Sequence, residues 1–267
     1  MWSQARLNRS KERRTTAKSF HKDQKPAARP VWLEGFVGLD WLALHASPVY
    51  YGLGVPKGDG SAVVVIPGFL GTDAYLRDLR SWLGRLGYTA FLSGIGRNAE
   101  CLELLVTRLI HTIQQARTET GRPVHLIGHS LGGILARSAA ALRPDLVASV
   151  ITLGSPFRGI RSHPMVLQAA ELVRARIIRE TAVDRPDCYT GYCTCGAIAS
   201  LEWPFPDSIP QTAVYTKQDG IVDWRFCIND DPETDCEVIG THVGLVFNAY
   251  VYELIAARLA LQNITRR

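Results

Sequence analysis

Long apolar runs are missing from this 267-residue sequence, and none reaches the roughly 18 residues that a membrane-spanning helix needs. The basic N-terminal stretch has no apolar segment after its charges, so it does not have the form of a signal peptide. No unit of about 20–50 residues recurs along the chain. We therefore expect no transmembrane helix, no secretory signal and no repeat architecture. These absences favour a cytoplasmic protein, with peripheral attachment to a membrane left open.

Cysteine pairs with metal-binding spacing are also missing. Cys193 and Cys195 are separated by one residue rather than two, and no second pair with histidines follows, so no zinc site or redox motif is predicted. We expect no metal and no cofactor. Cys227 and Cys236 flank the polar loop INDDPETD, and a disulfide between them is favoured if the compartment is oxidising. Unpaired thiols in a cytosolic protein are the alternative.

Positive charge is concentrated at one end of the chain. Up to Arg29 there are nine Lys and Arg against two acids, a net charge of +7 within a total of +5, so the remaining residues carry −2. We interpret residues 1–30 as a disordered, solvated tail. Contact with anionic lipid or nucleic acid is the alternative; of these we keep a weak membrane-surface contact and expect no nucleic acid partner.

Apolar strands and amphipathic helices alternate from residue 62 to residue 260. Continuous β-branched runs such as AVVVIP are typical of strands buried on both faces, and the helix at 73–86 has Asp73 as its expected N-cap. The predicted strands are 62–67, 88–92, 123–128, 147–154 and 212–217, and the predicted helices are 31–51, 73–86, 98–119, 131–143 and 242–260. This alternation predicts an α/β domain over residues 31–267, with a mostly parallel sheet and helices on both faces.

The alternation breaks at about 156–210. A helix-like stretch at 163–181 is followed by a loop rich in proline, cysteine and aromatic residues. We expect an insertion over one edge of the sheet rather than a second core. Loops of this length in compact domains are more often functional than idle.

The segment GHSLGG places Ser130 between a predicted strand and a predicted helix. The order strand, G-x-S-x-G, helix is the context of a nucleophile elbow, in which the serine sits on a crowded bend. Gly128 and Gly132 are needed there because side chains would collide with the neighbouring strand and helix. A flexible glycine loop is the alternative, but it does not explain the apolar strand in front.

A serine nucleophile needs a histidine base oriented by a carboxylate. In this arrangement the order along the chain is Ser, acid, His. His242 follows the last predicted strand and fits that order. Asp219 directly follows the fifth strand and is favoured as the acid, with Asp223 as the rival. The backbone N–H groups of Leu131 and of Phe69 are the expected oxyanion donors, with Leu70 as the alternate donor.

Five motifs in the expected order resemble bacterial lipase/esterase-like members of the α/β-hydrolase superfamily. They read PGFLGTD, GHSLGGILAR, LGSPFRG, DGIVDW and HVGL, and they lie within the segment from about Val49 to Leu259. Pro67 departs from the pattern, since many relatives carry histidine there. The resemblance implies an α/β-hydrolase fold, with a lid or cap formed by the insertion at 156–210.

The resemblance also implies hydrolysis of carboxylic esters through an acyl-enzyme on Ser130, without a cofactor. We expect a small-molecule ester with an apolar acyl group, and Leu70 and Trp224 are candidate substrate-binding residues. Apolar residues of the insertion could line an acyl pocket or pack their helix on the core: Met165, Val166, Leu167, Val173, Ile177 and Ile178. An acyltransferase or thioesterase with the same triad, and a non-catalytic binding protein on the same fold, are alternatives.

Overall fold

The computed structural model describes residues 31–159, 164–180 and 195–264. The basic tail, residues 1–30, lies outside the described residues, as do residues 160–163 and 181–194 of the insertion and the side chains of Met165 and Leu167. Among the described residues, no helix is both long enough and apolar enough to cross a membrane.

Six parallel strands form one sheet in the order β2-β1-β3-β4-β5-β6. They are β1 (Ala62–Ile66), β2 (Thr89–Phe91), β3 (Val124–His129), β4 (Val147–Leu153), β5 (Gln211–Tyr215) and β6 (Asp235–Glu237). Every residue of β1, β3 and β4 is buried, as expected for strands covered on both faces. The parallel α/β architecture predicted from the sequence is confirmed.

Helices cover both faces of this sheet. They are α1 (Val37–Ala46), α2 (Arg77–Leu86), α3 (Leu102–Thr120), α4 (Leu131–Leu142), α5 (Pro164–Glu180), α6 (Gly196–Glu202) and α7 (Ala249–Ile264). Apolar side chains of α2 and α7 fill the core on one face, and those of α3, α4 and α6 fill the core on the other. The insertion leaves the sheet after β4 and the chain returns to it at β5, and these two strands are neighbours in the sheet.

The predicted helix at 31–51 is divided into three pieces. A 3₁₀ helix at Val31–Phe36 leads into α1, and a second one follows at Pro48–Tyr51. Ser47 is extended because the residue before a proline avoids the helical conformation. Its hydroxyl group accepts a hydrogen bond from the Val49 N–H at 3.3 Å, which starts the new turn.

One predicted helix cap and one predicted helix beginning were wrong. The predicted helix at 73–86 is helical throughout, with a 3₁₀ turn at Asp73–Leu76 ahead of α2. Asp73 is not an N-cap, because its carboxylate instead accepts hydrogen bonds from the N–H and the hydroxyl group of Ser93, at 2.9 and 2.5 Å. The last helix begins at Ala249 rather than at residue 242, since Asn248 caps it by accepting the N–H of Tyr250 at 2.9 Å. His242 therefore lies in a loop before this helix.

The predicted disulfide was also wrong. Cys227 and Cys236 carry free thiols, and their sulfur atoms have different neighbours. Sγ of Cys227 lies 3.9 Å from the carbonyl oxygen of Asp223, whereas Sγ of Cys236 lies 3.5 Å from the guanidinium group of Arg258. Cys236 belongs to β6, a three-residue edge strand that the sequence analysis did not predict.

Candidate active site

Ser130 lies on the tight turn between β3 and α4. Its φ of 53° and ψ of −123° are outside the regions that most residues adopt, so surrounding structure must hold it there. The Ser130 N–H donates to the carbonyl oxygen of Leu153 at 2.8 Å, and the Gly133 N–H donates to the carbonyl oxygen of Ser130 at 3.0 Å. These bonds fix the turn at the carboxyl end of the sheet.

The glycines around Ser130 make room for this turn. A Cβ atom on Gly128 would collide with the backbone of Gly132 and Gly133 at the start of α4. A Cβ atom on Gly132 would collide with the carbonyl oxygens of Ile66 and Pro67 at the end of β1. The structure thus gives the predicted steric reason for both glycines.

Asp219 and His242 form a buried pair. Nδ1 of His242 lies 2.6 Å from Oδ2 of Asp219, and both side chains are almost fully buried. The other carboxylate oxygen of Asp219 accepts the N–H groups of Ile221 and Val222 at 2.9 and 2.7 Å. With Nδ1–H donating to Asp219, Nε2 of His242 is left as an acceptor.

The rival carboxylate, Asp223, is engaged elsewhere. It accepts the backbone N–H of Arg225 at 3.1 Å and pairs with the Arg225 guanidinium group at 3.2 Å. Of the two candidate acids, Asp219 is therefore the one that the structure brings to His242.

Two opposing effects set the pKa of His242. Burial lowers the pKa, but the charge and hydrogen bond of Asp219, together with the charge of Glu34, outweigh burial and raise the pKa of His242 above its usual value. A raised pKa makes the imidazole a better proton acceptor, and it is neutral only above that pKa.

His129, next to the serine, is a much weaker base than His242. Burial and the nearby charge of His242 lower the pKa of His129 to about 3, so the ring is neutral near pH 7. Its Nε2–H donates to the carbonyl oxygen of His242 at 3.0 Å. His129 therefore holds the backbone of the loop that carries the proposed base.

Ser130 and His242 line the same cavity of about 490 Å³. Most of its lining is apolar, and one side is formed by α5. The lining residues are Val31, Gly68, Phe69, Leu70, Gly71, Tyr75, His129, Ser130, Val166, Ala169, Ile221, His242 and Val243. A cavity of this size accommodates a small apolar molecule beside the serine.

The loop after β1 lies beside the serine. A Cβ atom on Gly68 would lie 3.1 Å from Cβ of Ser130, a tight contact, so glycine at position 68 favours the close approach of this loop to Ser130. The Leu70 N–H donates to the carbonyl oxygen of Asn98 at 2.9 Å, so Leu70 was wrong as an alternate oxyanion donor. Leu131 begins α4, where N–H groups have no acceptor within the helix.

Of the two expected substrate-binding residues, Leu70 lines the cavity and Trp224 does not. Leu70 and Phe69 line the cavity, and Phe69 also packs against Val173 and Ile177 of α5. Trp224 is not among the described residues that line it. Its ring instead stacks on Tyr215, with centroids 5.4 Å apart, beneath Lys217.

Two residues that the sequence analysis missed hold the His242 loop. The Tyr75 hydroxyl group donates to the carbonyl oxygen of Val243 at 3.2 Å. The buried carboxylate of Glu34 accepts backbone N–H groups from both the Asp219 and the His242 loops. One signal for Glu34 was present in the sequence, since it is a lone acid in the apolar stretch VWLEGFVGL.

No group of three or more His, Cys, Asp and Glu side chains that could hold a metal ion occurs in the part of the chain that the structure describes.

Comparison with known proteins agrees with this architecture. The model of a PGAP1-like alpha/beta domain matches residues 89–173. A triacylglycerol lipase from Burkholderia plantarii is 34% identical over 136 residues, covering 46% of this chain and 37% of that protein. Another from Pseudarthrobacter phenanthrenivorans is 37% identical over 111 residues, covering 36% of this chain and 33% of that protein. The matches thus span about a third of these relatives.

Solved structures share the fold across most of the chain. A soluble variant of monoglyceride lipase from Saccharomyces cerevisiae gives a TM-score of 0.55 at 15% identity, covering 78% of this chain and 90% of that one. The monoacylglycerol lipase of Paleococcus ferrophilus gives 0.55 at 16% identity, covering 78% and 97%. The chain therefore has the fold of these α/β hydrolases, and part of its sequence is similar to triacylglycerol lipases.

Proposed function

We propose that the protein is a serine hydrolase that cleaves carboxylic esters with an apolar acyl group. The observation that carries the proposal is the placement of Ser130, on a strained elbow, and of His242, paired with buried Asp219, around one apolar cavity. The matching relatives named triacylglycerol lipase support an ester as the substrate.

In the proposed first step, Oγ of Ser130 attacks the ester carbonyl carbon while Nε2 of His242 takes the hydroxyl proton. The carbonyl oxygen becomes an oxyanion, for which we propose the N–H groups of Phe69 and Leu131 as donors. Collapse of this intermediate breaks the bond to the alcohol oxygen, which leaves with the proton from His242. Asp219 stabilises the transient imidazolium.

The second step releases the acid. Water loses a proton to Nε2 of His242 and attacks the acyl-enzyme, and the new intermediate collapses to free acid and a reprotonated Ser130. A competing alcohol or thiol in place of water would give acyl transfer, so product analysis with added acceptors distinguishes the two reactions.

We also propose that α5 forms part of a lid that shapes the acyl pocket. Val166 and Ala169 line the cavity from this helix, and Val173 and Ile177 pack it against Phe69. The rest of the predicted lid includes residues 160–163 and 181–194, which lie outside the described residues.

A weak contact with anionic membranes is a separate proposal. The tail with net charge +7 leads into a segment where Trp32, Phe36 and Leu39 are exposed, at 66%, 49% and 62%. Exposed aromatic and aliphatic side chains after a basic stretch favour a lipid surface. Deleting residues 1–29 should abolish salt-sensitive binding to phosphatidylglycerol vesicles; unchanged binding contradicts the proposal.

The proposed activity is tested with p-nitrophenyl esters of short and medium acyl length. We expect wild-type protein to hydrolyse them and Ser130→Ala to lose that activity. Full activity in Ser130→Ala would contradict the mechanism.

A further inference from the structure

Glu34 is a buried carboxylate far from the triad in sequence and close to it in space. It lies on the 3₁₀ helix Val31–Phe36, ahead of the first strand, and is only 9% exposed. Its Oε1 accepts the N–H of His242 at 3.0 Å and the N–H of Gly220 at 3.2 Å. Its Oε2 accepts the N–H of Val243 at 2.8 Å.

These three hydrogen bonds join two loops that have to be in register. Gly220 follows Asp219, and Val243 follows His242, so one carboxylate holds the backbone beside both members of the pair. A buried carboxylate is costly unless several donors satisfy it, and here three backbone N–H groups do so. The Nδ1 to Oδ2 distance of 2.6 Å depends on the separation of these loops.

The negative charge of Glu34 also acts on the His242 ring and, with Asp219, raises its pKa. Asp219 bonds the ring directly, whereas Glu34 bonds the backbone of the same residue. When His242 takes the proton from Ser130, the ring becomes cationic, and a fixed negative charge nearby stabilises that state without reorganisation.

We propose that Glu34 is a positioning residue that holds the Asp219 and His242 loops in register and stabilises protonated His242. The proposal rests on the triad assigned under the proposed function. Glu34 acts through these two loops and does not need to contact the substrate.

The test compares Glu34→Gln, which removes the charge at nearly constant volume, with Glu34→Asp, which keeps the charge but shortens the side chain. We expect kcat on p-nitrophenyl butyrate to fall about tenfold or more in both, with KM little changed. The Glu34 charge favours protonated His242, so removal of that charge should lower the pKa of His242. The acid limb of the plot of kcat/KM against pH should therefore move to lower pH in Glu34→Gln and should stay in place in Glu34→Asp.

Glu103→Gln is the matched control. The Glu103 carboxylate also accepts a backbone N–H, that of Ala197 at 2.9 Å, at the start of α6. Glu103→Gln should lower Tm without moving the acid limb of the plot of kcat/KM against pH. Glu34 variants that fold, retain kcat within twofold and keep the wild-type acid limb would overturn the proposal.

Two further measurements distinguish failure of the Glu34 proposal from failure of the proposed function. Amide hydrogen exchange of the wild-type protein needs no variant, and unprotected N–H groups at both His242 and Val243 would overturn the proposal even if the Glu34 variants failed to fold. Absence of wild-type esterase activity and of Ser130 labelling would overturn the proposed function itself. An active wild-type protein with unaffected Glu34 variants would overturn only the role of Glu34.

Discussion

The cavity has two sides that are held in different ways. One wall is formed by Ser130 and by the loops of Asp219 and His242, and we call it the catalytic wall after its proposed role. It is fixed by backbone hydrogen bonds, close glycine contacts and the buried Asp219–His242 hydrogen bond. The α5 wall, formed by Val166 and Ala169, belongs to a helix with only two buried apolar residues among those described, Val173 and Ile177.

The two walls therefore have different roles in the proposed reaction. The catalytic wall has little freedom to change, because each group is bound by several neighbours, so it suits chemistry that needs constant geometry. The α5 wall rests on a few apolar contacts and can vary in side-chain size without disturbing the triad. We therefore expect substitutions in the first wall to change the rate and those in the second to change the substrate preference.

The largest effect is expected at the carboxylate of the catalytic wall. Asp219→Asn should lower kcat about 10⁴-fold, because the amide no longer stabilises the protonated ring or fixes its tautomer. Asp223→Asn is the matched control and should remain within about twofold, because Asp223 contacts Arg225 rather than His242. Steady-state kinetics on one ester checks both. Equal losses in the two variants would contradict the assignment of the acid.

The next largest effect is expected from adding a methyl group to the tightly packed turn around Ser130. Gly132→Ala should lower the free energy of unfolding by about 3 kcal/mol, because its methyl group meets the carbonyl oxygens of Ile66 and Pro67. Gly84→Ala lies on α2 where an added methyl group meets nothing within 4 Å, and it should stabilise the protein by about 0.5–1 kcal/mol. Urea unfolding compares the two. A Gly132→Ala variant as stable as wild type would show that the elbow is not tightly packed.

Buried His129 should make the catalytic wall acid-sensitive. The pKa of His129 is lowered from 6.5 to about 3, so between these values the unfolded chain binds a proton that the folded protein does not. The free energy of unfolding should therefore fall as the pH drops from 6.5 towards 3. His242 has the opposite effect on stability, because its pKa is raised in the folded protein. Its stabilising contribution is complete below pH 6.5 and is lost as the pH rises through the raised pKa.

His129→Phe isolates the first contribution. Its unfolding free energy, measured by urea titration at several pH values, should depend less on pH between about 4 and 6.5 than that of wild type. His111→Phe, at an exposed position on α3, is the control and should keep the wild-type slope. An unchanged slope in His129→Phe would show that His129 is not buried in its neutral form.

The smallest effect is expected in the α5 wall. Val166→Trp should shorten the cavity and reduce the preference for p-nitrophenyl octanoate over the butyrate about tenfold, with little loss on the butyrate. Leu172→Trp lies on the same helix at a position 74% exposed and should leave the preference unchanged. A wild-type preference in Val166→Trp would show that α5 does not contact the acyl chain.

Much of this arrangement could be predicted from local sequence. The buried strands were visible as β-branched runs, and Ser130 was visible because an apolar strand, a G-x-S-x-G turn and a helix follow each other. His242 and Asp219 were found from their order after the serine, and the structure brings them together at 2.6 Å. Each of these signals lies within a short stretch or in chain order.

The missed features depend on contacts that the sequence does not encode locally. Glu34 bonds backbone N–H groups 186 to 209 positions away, and backbone donors leave no residue-type signal. β6 has only three residues, two of them acidic, so it shows no apolar run. The Cys227 and Cys236 spacing suggested a disulfide, but spacing along the chain does not fix the distance between two thiols.

Labelling with a fluorophosphonate probe tests the central claim most directly, because the probe reacts with an activated serine regardless of the natural substrate. Mass spectrometry of wild-type protein should place a single adduct on Ser130, and Ser130→Ala should remain unlabelled. Labelling should weaken as the pH falls through the raised pKa of His242. No adduct on wild-type Ser130, or equal labelling of Ser130→Ala, would contradict the account and favour a binding protein on the same fold.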